Sequence, residues 1–190
     1  KPPSADEVQE RDDLRLLDHP VLVADVSDEG DLAKNLLERY GAEQIAVRAA
    51  MNGATSVRVD NVPLVFVGYG VDAPERNWDD YKGVDLKGKI GIVLVNDPDF
   101  ETGEGDFGGK AMTYYGRWTY KYEEAARRGA VGMLVVHETA PASYGWATVK
   151  NSNTNTMFDI VRTHPAEDHT LIEGWIQHDV AIDLFRRAGL

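Results

Sequence analysis

Lys89 to Asn96 and Ala130 to His137 are almost unbroken runs of Val, Ile, Leu, Met and Gly between their end residues. An alternating pattern marks a strand with one wet face, whereas an unbroken one marks a short strand buried on both faces. Val62 to Val71 and Thr170 to Trp175 are two further β runs. Between the first two lies Tyr115 to Arg128, which reads as a helix. Trp118, Tyr122 and Ala125 line its inner face, Arg117, Lys121, Glu124 and Arg128 share the opposite one, and Gly129 ends it. His178 to Ala188 reads as a last helix, with Ala181, Leu184, Phe185 and Ala188 inward and Gly189 at the cap. The fold class is therefore mixed α/β. Residues 97–113 and 138–169 read as two long loops, which in a compact domain usually carry function or cover something.

Composition divides the chain near residue 60. Of the 5 Phe, 4 Trp and 8 Tyr, only Tyr40 precedes Asn61. Residues 1–60 thus have little large apolar material for a core of their own and form a small N-terminal α/β extension to a domain over 61–190. Within the extension, Ser4-Ala5-Asp6-Glu7 has the form of a capping box. Pro20 stops the helix that follows, and Val21 to Ala24 reads as a strand. Asp28 to Tyr40 is a second helix, with Leu32, Leu36, Leu37 and Tyr40 in one stripe. Ile45 to Val47 and Thr55 to Val59 read as strands parted by a turn at Asn52-Gly53.

The 190 residues suffice for a core without staples. No cysteine is present, which excludes thiolate metal sites, disulfides and a cysteine nucleophile. A formal net charge of −12 argues against nucleic acid over a broad surface and against docking on anionic lipid. The longest apolar stretch, Val62 to Val71, is too short to span a bilayer.

Several motifs resemble chemistry and fall short of it. Gly68-Tyr69-Gly70-Val71-Asp72-Ala73 matches a dinucleotide fingerprint, but Pro74 and Asn77-Trp78-Asp79-Asp80 follow where a helix must open. It reads as a strand leaving through a glycine turn. His137-Glu138 lacks the second histidine of a zinc helix, and Pro141 stands where that helix must run. His164-Pro165-Ala166-Glu167-Asp168-His169 gathers metal-ligand types without fixing a geometry. Asp97, Asp99, Glu101, Glu104 and Asp106 offer oxygen ligands of the kind calcium takes, without EF-hand spacing, and read as a solvated acidic loop. Glu123-Glu124 reads as helix ion pairing with the nearby cations. No nucleophile elbow, P-loop or paired-histidine pattern exists, so no catalytic residue and no metal ligand is assigned. What remains is a cationic, aromatic segment: Lys110, Tyr114, Tyr115, Arg117, Trp118, Tyr120, Lys121 and Tyr122. Arg117 suits a carboxylate, because a guanidinium pairs with it in bidentate fashion.

Three stretches together resemble the protease-associated domain. One is Asn61-Val62-Pro63-Leu64-Val65-Phe66-Val67-Gly68-Tyr69-Gly70-Val71, with Asn77-Trp78-Asp79-Asp80-Tyr81 and Asp85-Leu86-Lys87-Gly88-Lys89. The second runs from Asn96-Asp97-Pro98 through Gly109-Lys110-Ala111-Met112-Thr113-Tyr114-Tyr115-Gly116-Arg117-Trp118 to Lys121. The third joins Glu123-Glu124-Ala125-Ala126-Arg127-Arg128-Gly129-Ala130-Val131-Gly132 to the closing Glu173-Gly174-Trp175-Ile176. The version it is similar to is the one inserted in secreted bacterial zinc aminopeptidases, relatives of glutamate carboxypeptidase.

That resemblance covers about residues 61–190 and implies a swivelling β/β/α fold. It implies a non-catalytic lid that restricts access to a two-zinc centre and contacts the peptide substrate. Arg117 matches the family's substrate-reaching arginine, with Tyr114 and Tyr115 on the same side. The partners implied are a catalytic peptidase domain and a peptide. Zinc is expected in that domain and no cofactor in this chain, and the setting implied is secreted or periplasmic. The catalytic half's ligands cannot be placed here, so the chain is expected to be an excised fragment or a lid that has lost its enzyme. The alternative is a stand-alone protein-binding module of the same type without peptidase activity, in which residues 1–60 supply a partner surface or a homo-oligomer contact.

Overall fold

The structure, a computed structural model, describes residues 21–24, 36, 39–54, 56–60 and 62–190. Eight strands follow in chain order: β1 (Val21–Ala24), β2 (Ile45–Ala49), β3 (Leu64–Phe66), β4 (Asp72–Ala73), β5 (Trp78–Asp79), β6 (Ile90–Leu94), β7 (Gly132–His137) and β8 (Ile172–Gln177). The helices are α1 (Trp118–Arg127), α2 (Thr139–Ala142), α3 (Trp146–Thr154), α4 (Pro165–Asp168) and α5 (His178–Arg187).

Six strands form one sheet in the order β1-β3-β6-β7-β8-β2. β3, β6, β7 and β8 run parallel, and β1 and β2 close the two edges antiparallel. β4 and β5 make a separate antiparallel pair around the turn Pro74–Arg76. The chain is thus mixed α/β with a mostly parallel sheet and a small antiparallel one. Every residue of β6 and β7 is buried, because helices cover both faces.

The pleat sends alternate side chains to opposite cores. Leu64, Phe66, Ile90, Ile92, Leu94, Leu134 and Val136 meet α5 through Val180, Ala181, Leu184 and Phe185. Val65, Val93, Met133, Val135 and Trp175 meet Tyr122 and Ala125 of α1 and Val149 of α3. Three glycines let these layers close. A Cβ on Gly91 would stand 2.6 Å from Met133 Sδ, one on Gly174 2.7 Å from Val47 Cγ2, and one on Gly132 2.9 Å from Ile172 O.

Several sequence expectations are corrected. The helix read from Tyr115 begins at Trp118, because residues 114–117 form a turn in which Arg117 N donates to Tyr114 O. Residues 56–59 form no strand. Asn52 Nδ2 donates to Thr170 O at 3.2 Å while its Oδ1 accepts from Ala54 N, which turns the backbone away after β2. Residues 138–169 are not one loop but hold α2, α3 and α4, the second seated by buried Val149 and the third opened by Pro165. Pro141 lies inside the single turn of α2, where a helix was not expected. Ala188 is exposed, just past the end of α5. The capping-box helix at Ser4 and most of Asp28 to Tyr40 lie outside the described residues. Leu36, Arg39 and Tyr40 are helical, and Tyr40 Oη donates to Asp183 of α5 at 2.6 Å.

Candidate functional site

The aromatic and cationic segment sits where three pieces of chain meet: the glycine turn after β3, the loop after β6, and the start of α1. Gly68 and Gly70 both adopt positive φ, and the chain then enters β4 rather than a helix, as a glycine turn requires. At Gly70 an added Cβ would stand 2.6 Å from Val93 Cγ1, so this turn packs directly on the sheet.

The loop after β6 is held from within. Asp97 is fully buried and accepts from Thr113 N at 2.6 Å and Thr113 Oγ1 at 2.8 Å. Asp99 Oδ2 accepts from Phe107 N at 2.9 Å. This corrects the solvated reading of the acidic loop: two of its carboxylates are buried staples, each tied to a backbone N–H. Asn96, at φ 74°, donates through Nδ2 to Pro141 O at 2.7 Å. Gly116 must be small here, since a Cβ would lie 3.0 Å from Asn96 C and from Asp97 Cγ.

Lys121 corrects the helix-face reading. Expected on the wet side of α1, it is fully buried. Its Nζ donates to Tyr69 O at 2.5 Å and to Asn96 O at 3.1 Å, so one ammonium clamps the glycine turn to the loop. Burial pulls its pKa down to about 7, opposed by the charges of Asp97 and Asp80. Burial in turn raises the pKa of both carboxyls, opposed at Asp80 by the Val71 N–H and at Asp97 by Thr113. Glu124, also placed on the wet face, is buried and binds Arg127 at 2.8 Å and Arg128 at 2.6 Å. The ion-pair reading of this glutamate therefore stands, with Arg128 reaching on to Asp72 at 2.6 Å.

Five rings run over this base, each edge to face with the next. Trp78 meets Phe107 at 5.6 Å between centroids, Phe107 meets Tyr115 at 5.9 Å, Tyr115 meets Tyr120 at 5.0 Å, and Tyr120 meets Tyr114 at 5.7 Å. Such pairs add about 1 kcal/mol each beyond area burial. Arg76 stacks over Phe107 and Tyr115 at 4.8 and 5.5 Å and donates to Asp106 O. Tyr115 Oη donates to Glu75 at 2.9 Å, and Tyr114 Oη donates to Glu123 at 2.5 Å. These carboxylate bonds raise the pKa of both phenols.

Of the three residues singled out from sequence, Tyr115 is the middle ring of the ladder, Tyr114 is its last, and Arg117 follows them at the start of α1. Tyr114 is 53% exposed, Tyr115 is half-buried, and Arg117 is exposed as the N-cap residue of α1. Among the described residues the Arg117 guanidinium makes no hydrogen bond or ion pair, while its charge reaches the Tyr114 hydroxyl. A guanidinium with no carboxylate partner among the described residues, beside the exposed Tyr114 ring, can take a carboxylate from outside. Sequence reading missed Arg76, Trp78 and Phe107. The only signal for the two rings was the high aromatic content beyond residue 60, because Arg76 and Trp78 lie far from Phe107 along the chain.

His137 is buried at the end of β7, donates to Tyr144 O at 2.9 Å, and burial lowers its pKa. His169 lies between Asp159 at 2.8 Å and Glu173 at 3.3 Å. Among the described residues no three of His, Asp and Glu converge as a metal-ligand set. No described helix is long and apolar enough to cross a membrane. No family model, curated protein or solved structure matches the chain.

Proposed function

We propose that this chain is a non-catalytic lid of the protease-associated type, which orients a peptide by its carboxylate over a zinc centre in a separate peptidase domain. The observation that carries this reading is the Arg117 guanidinium, which has no hydrogen-bond or ion-pair partner among the described residues and stands beside exposed Tyr114. Arg117 takes the carboxylate through two parallel N–H bonds. Tyr114 and Tyr115 flank the adjoining side chain, their hydroxyls already turned to Glu123 and Glu75. The Lys121 clamp holds the loop and helix start still, so that little ordering is lost when the peptide arrives. Closing such a surface over a reaction centre excludes water and fixes the substrate. The described residues do not fit a zinc site, and no step here passes through a metal. The secreted or periplasmic setting belongs to the same proposal.

The test is an NMR titration of the whole chain with an acetylated peptide ending in a free carboxylate. Saturable shifts at Tyr114 and Arg117 are expected, lost both on amidating the peptide end and in Arg117→Ala. Equal binding of the amidated peptide, or unchanged binding by Arg117→Ala, overturns the reading.

A further inference from the structure

A second cleft lies on the other side of α1. Trp118 and Tyr122, one turn apart on the sheet-facing side of that helix, line it together with Tyr144, Val149, Met157 and Trp175. Its volume is about 200 Å³. Drug-sized ligands need pockets of roughly 300–1,000 Å³, so this one suits a single ring or branched alkyl group. Arg48 also lines it, but its Nη2 binds Glu173 at 2.8 Å, and Glu173 is buried. The one cation in the lining is therefore neutralised. The cleft selects for an uncharged apolar group and against an anion.

Met157 connects the cleft to an unusual stretch of surface. The chain leaves α3 at Asn155 in an extended conformation, φ −83° and ψ 161°. From 156 to 163 no residue makes a backbone–backbone hydrogen bond among the described residues. The same stretch exposes Phe158 at 87% and Ile160 at 71%, with Val161 fully exposed. Among the described residues its ion pairs to the rest of the chain are Asp159 with His169 at 2.8 Å and Arg162 with Asp168 at 3.5 Å. Ile160 N donates to Asp159 Oδ1 at 2.8 Å, and the other main-chain groups of the stretch make no hydrogen bond among the described residues. Open main-chain donors and acceptors beside an apolar pocket are the two components by which extended peptides are recognised. The main chain supplies affinity and the pocket selects a side chain.

We propose that this cleft and the segment 156–163 form a peptide-docking site, whose occupant is an extended peptide placing one large uncharged apolar side chain among Trp118, Tyr122, Tyr144 and Trp175. Phe158 and Ile160 pack along the same peptide, and the chain's net charge of −12 favours basic flanking residues. The site uses neither Arg117 nor a peptide terminus. It stands whether the domain acts as a lid or as a free-standing module.

The probe is a fluorescein-labelled peptide, acetyl-Lys-Thr-Val-Phe-Val-Thr-Lys-amide, which has no free carboxylate. Fluorescence anisotropy with the full chain is expected to show saturable binding that weakens about thirtyfold when the Phe is replaced by Ala. Two variants test the site itself. Thr148→Trp fills the cleft from an exposed lining position, and Val161→Pro removes a main-chain donor that has no partner among the described residues. Each is expected to weaken binding at least tenfold with an unchanged circular dichroism spectrum. Absence of saturable binding, binding that ignores the Phe-to-Ala change, or full binding by folded Thr148→Trp overturns the proposal. So does a concentration-dependent dimer that both variants abolish in analytical ultracentrifugation, since the occupant is then a second copy of this chain.

Discussion

Raising the pH from 7 to 9 should stabilise this protein through Lys121. Its amine has an ordinary pKa of 10.5 and in the folded state is pulled down to about 7 by burial. Within that interval the unfolded chain keeps the proton and the folded chain has lost it. The unfolded state binds more protons, so stability rises with pH. Below pH 7 both states are protonated and the cost of burying the ammonium is fully present. At about 1.4 kcal/mol per pH unit, and with the folded amine half-titrated at pH 7, the gain by pH 9 is about 2 kcal/mol. The window must end there, because buried Tyr81 and Tyr122 have phenols raised well above 10 that start to favour the unfolded state once free tyrosine ionises. Asp80 and Asp97, raised by burial, add pH dependence at the acid end instead. The assay is urea denaturation of the wild type and of Lys121→Met at pH 7, 8 and 9. Subtracting the two curves isolates the lysine, and the difference should grow in favour of the wild type by about 2 kcal/mol. A flat difference, or one that shrinks with pH, refutes the argument that burial dominates over the two carboxylates.

Two further substitutions test how the site is held. Gly116→Ala puts a methyl 2.9 Å from Met112 Cγ and 3.0 Å from Asn96 C, and should cost about 1–3 kcal/mol by thermal denaturation. It should also release the Asp97 contact with Thr113, seen as faster amide exchange at Thr113. Leu134→Ala, at a fully buried position in β7 facing α5, should cost about 2–5 kcal/mol in the same assay.

The centre of the fold was legible because β6 and β7 carry their burial in their own composition. A run such as Ile90-Gly91-Ile92-Val93-Leu94 leaves no polar residue to face water. The end of α1 was equally legible, since Gly129 adopts φ 68° as a helix-terminating glycine should. Lys121 was not legible. Helical spacing placed it opposite Trp118, Tyr122 and Ala125, but the groups that cover it, Tyr69 O and Asn96 O, lie 52 and 25 residues away. Local periodicity reports how a helix meets its main neighbour, not whether a distant loop folds over its other side. The same limit hid the ring ladder, whose members Trp78, Phe107 and Tyr115 belong to different segments. Tyr114, Tyr115 and Arg117 were found together because they are adjacent in sequence, and that adjacency survives in the fold.

The most direct measurement of the lid account is zinc content by mass spectrometry on the purified full chain, paired with an aminopeptidase and carboxypeptidase assay on the same sample with added zinc. Substoichiometric zinc and no turnover are predicted. Two tightly held zinc ions per chain together with peptide hydrolysis would contradict the account, because the chemistry would then reside in the residues assigned here to holding and orienting a substrate.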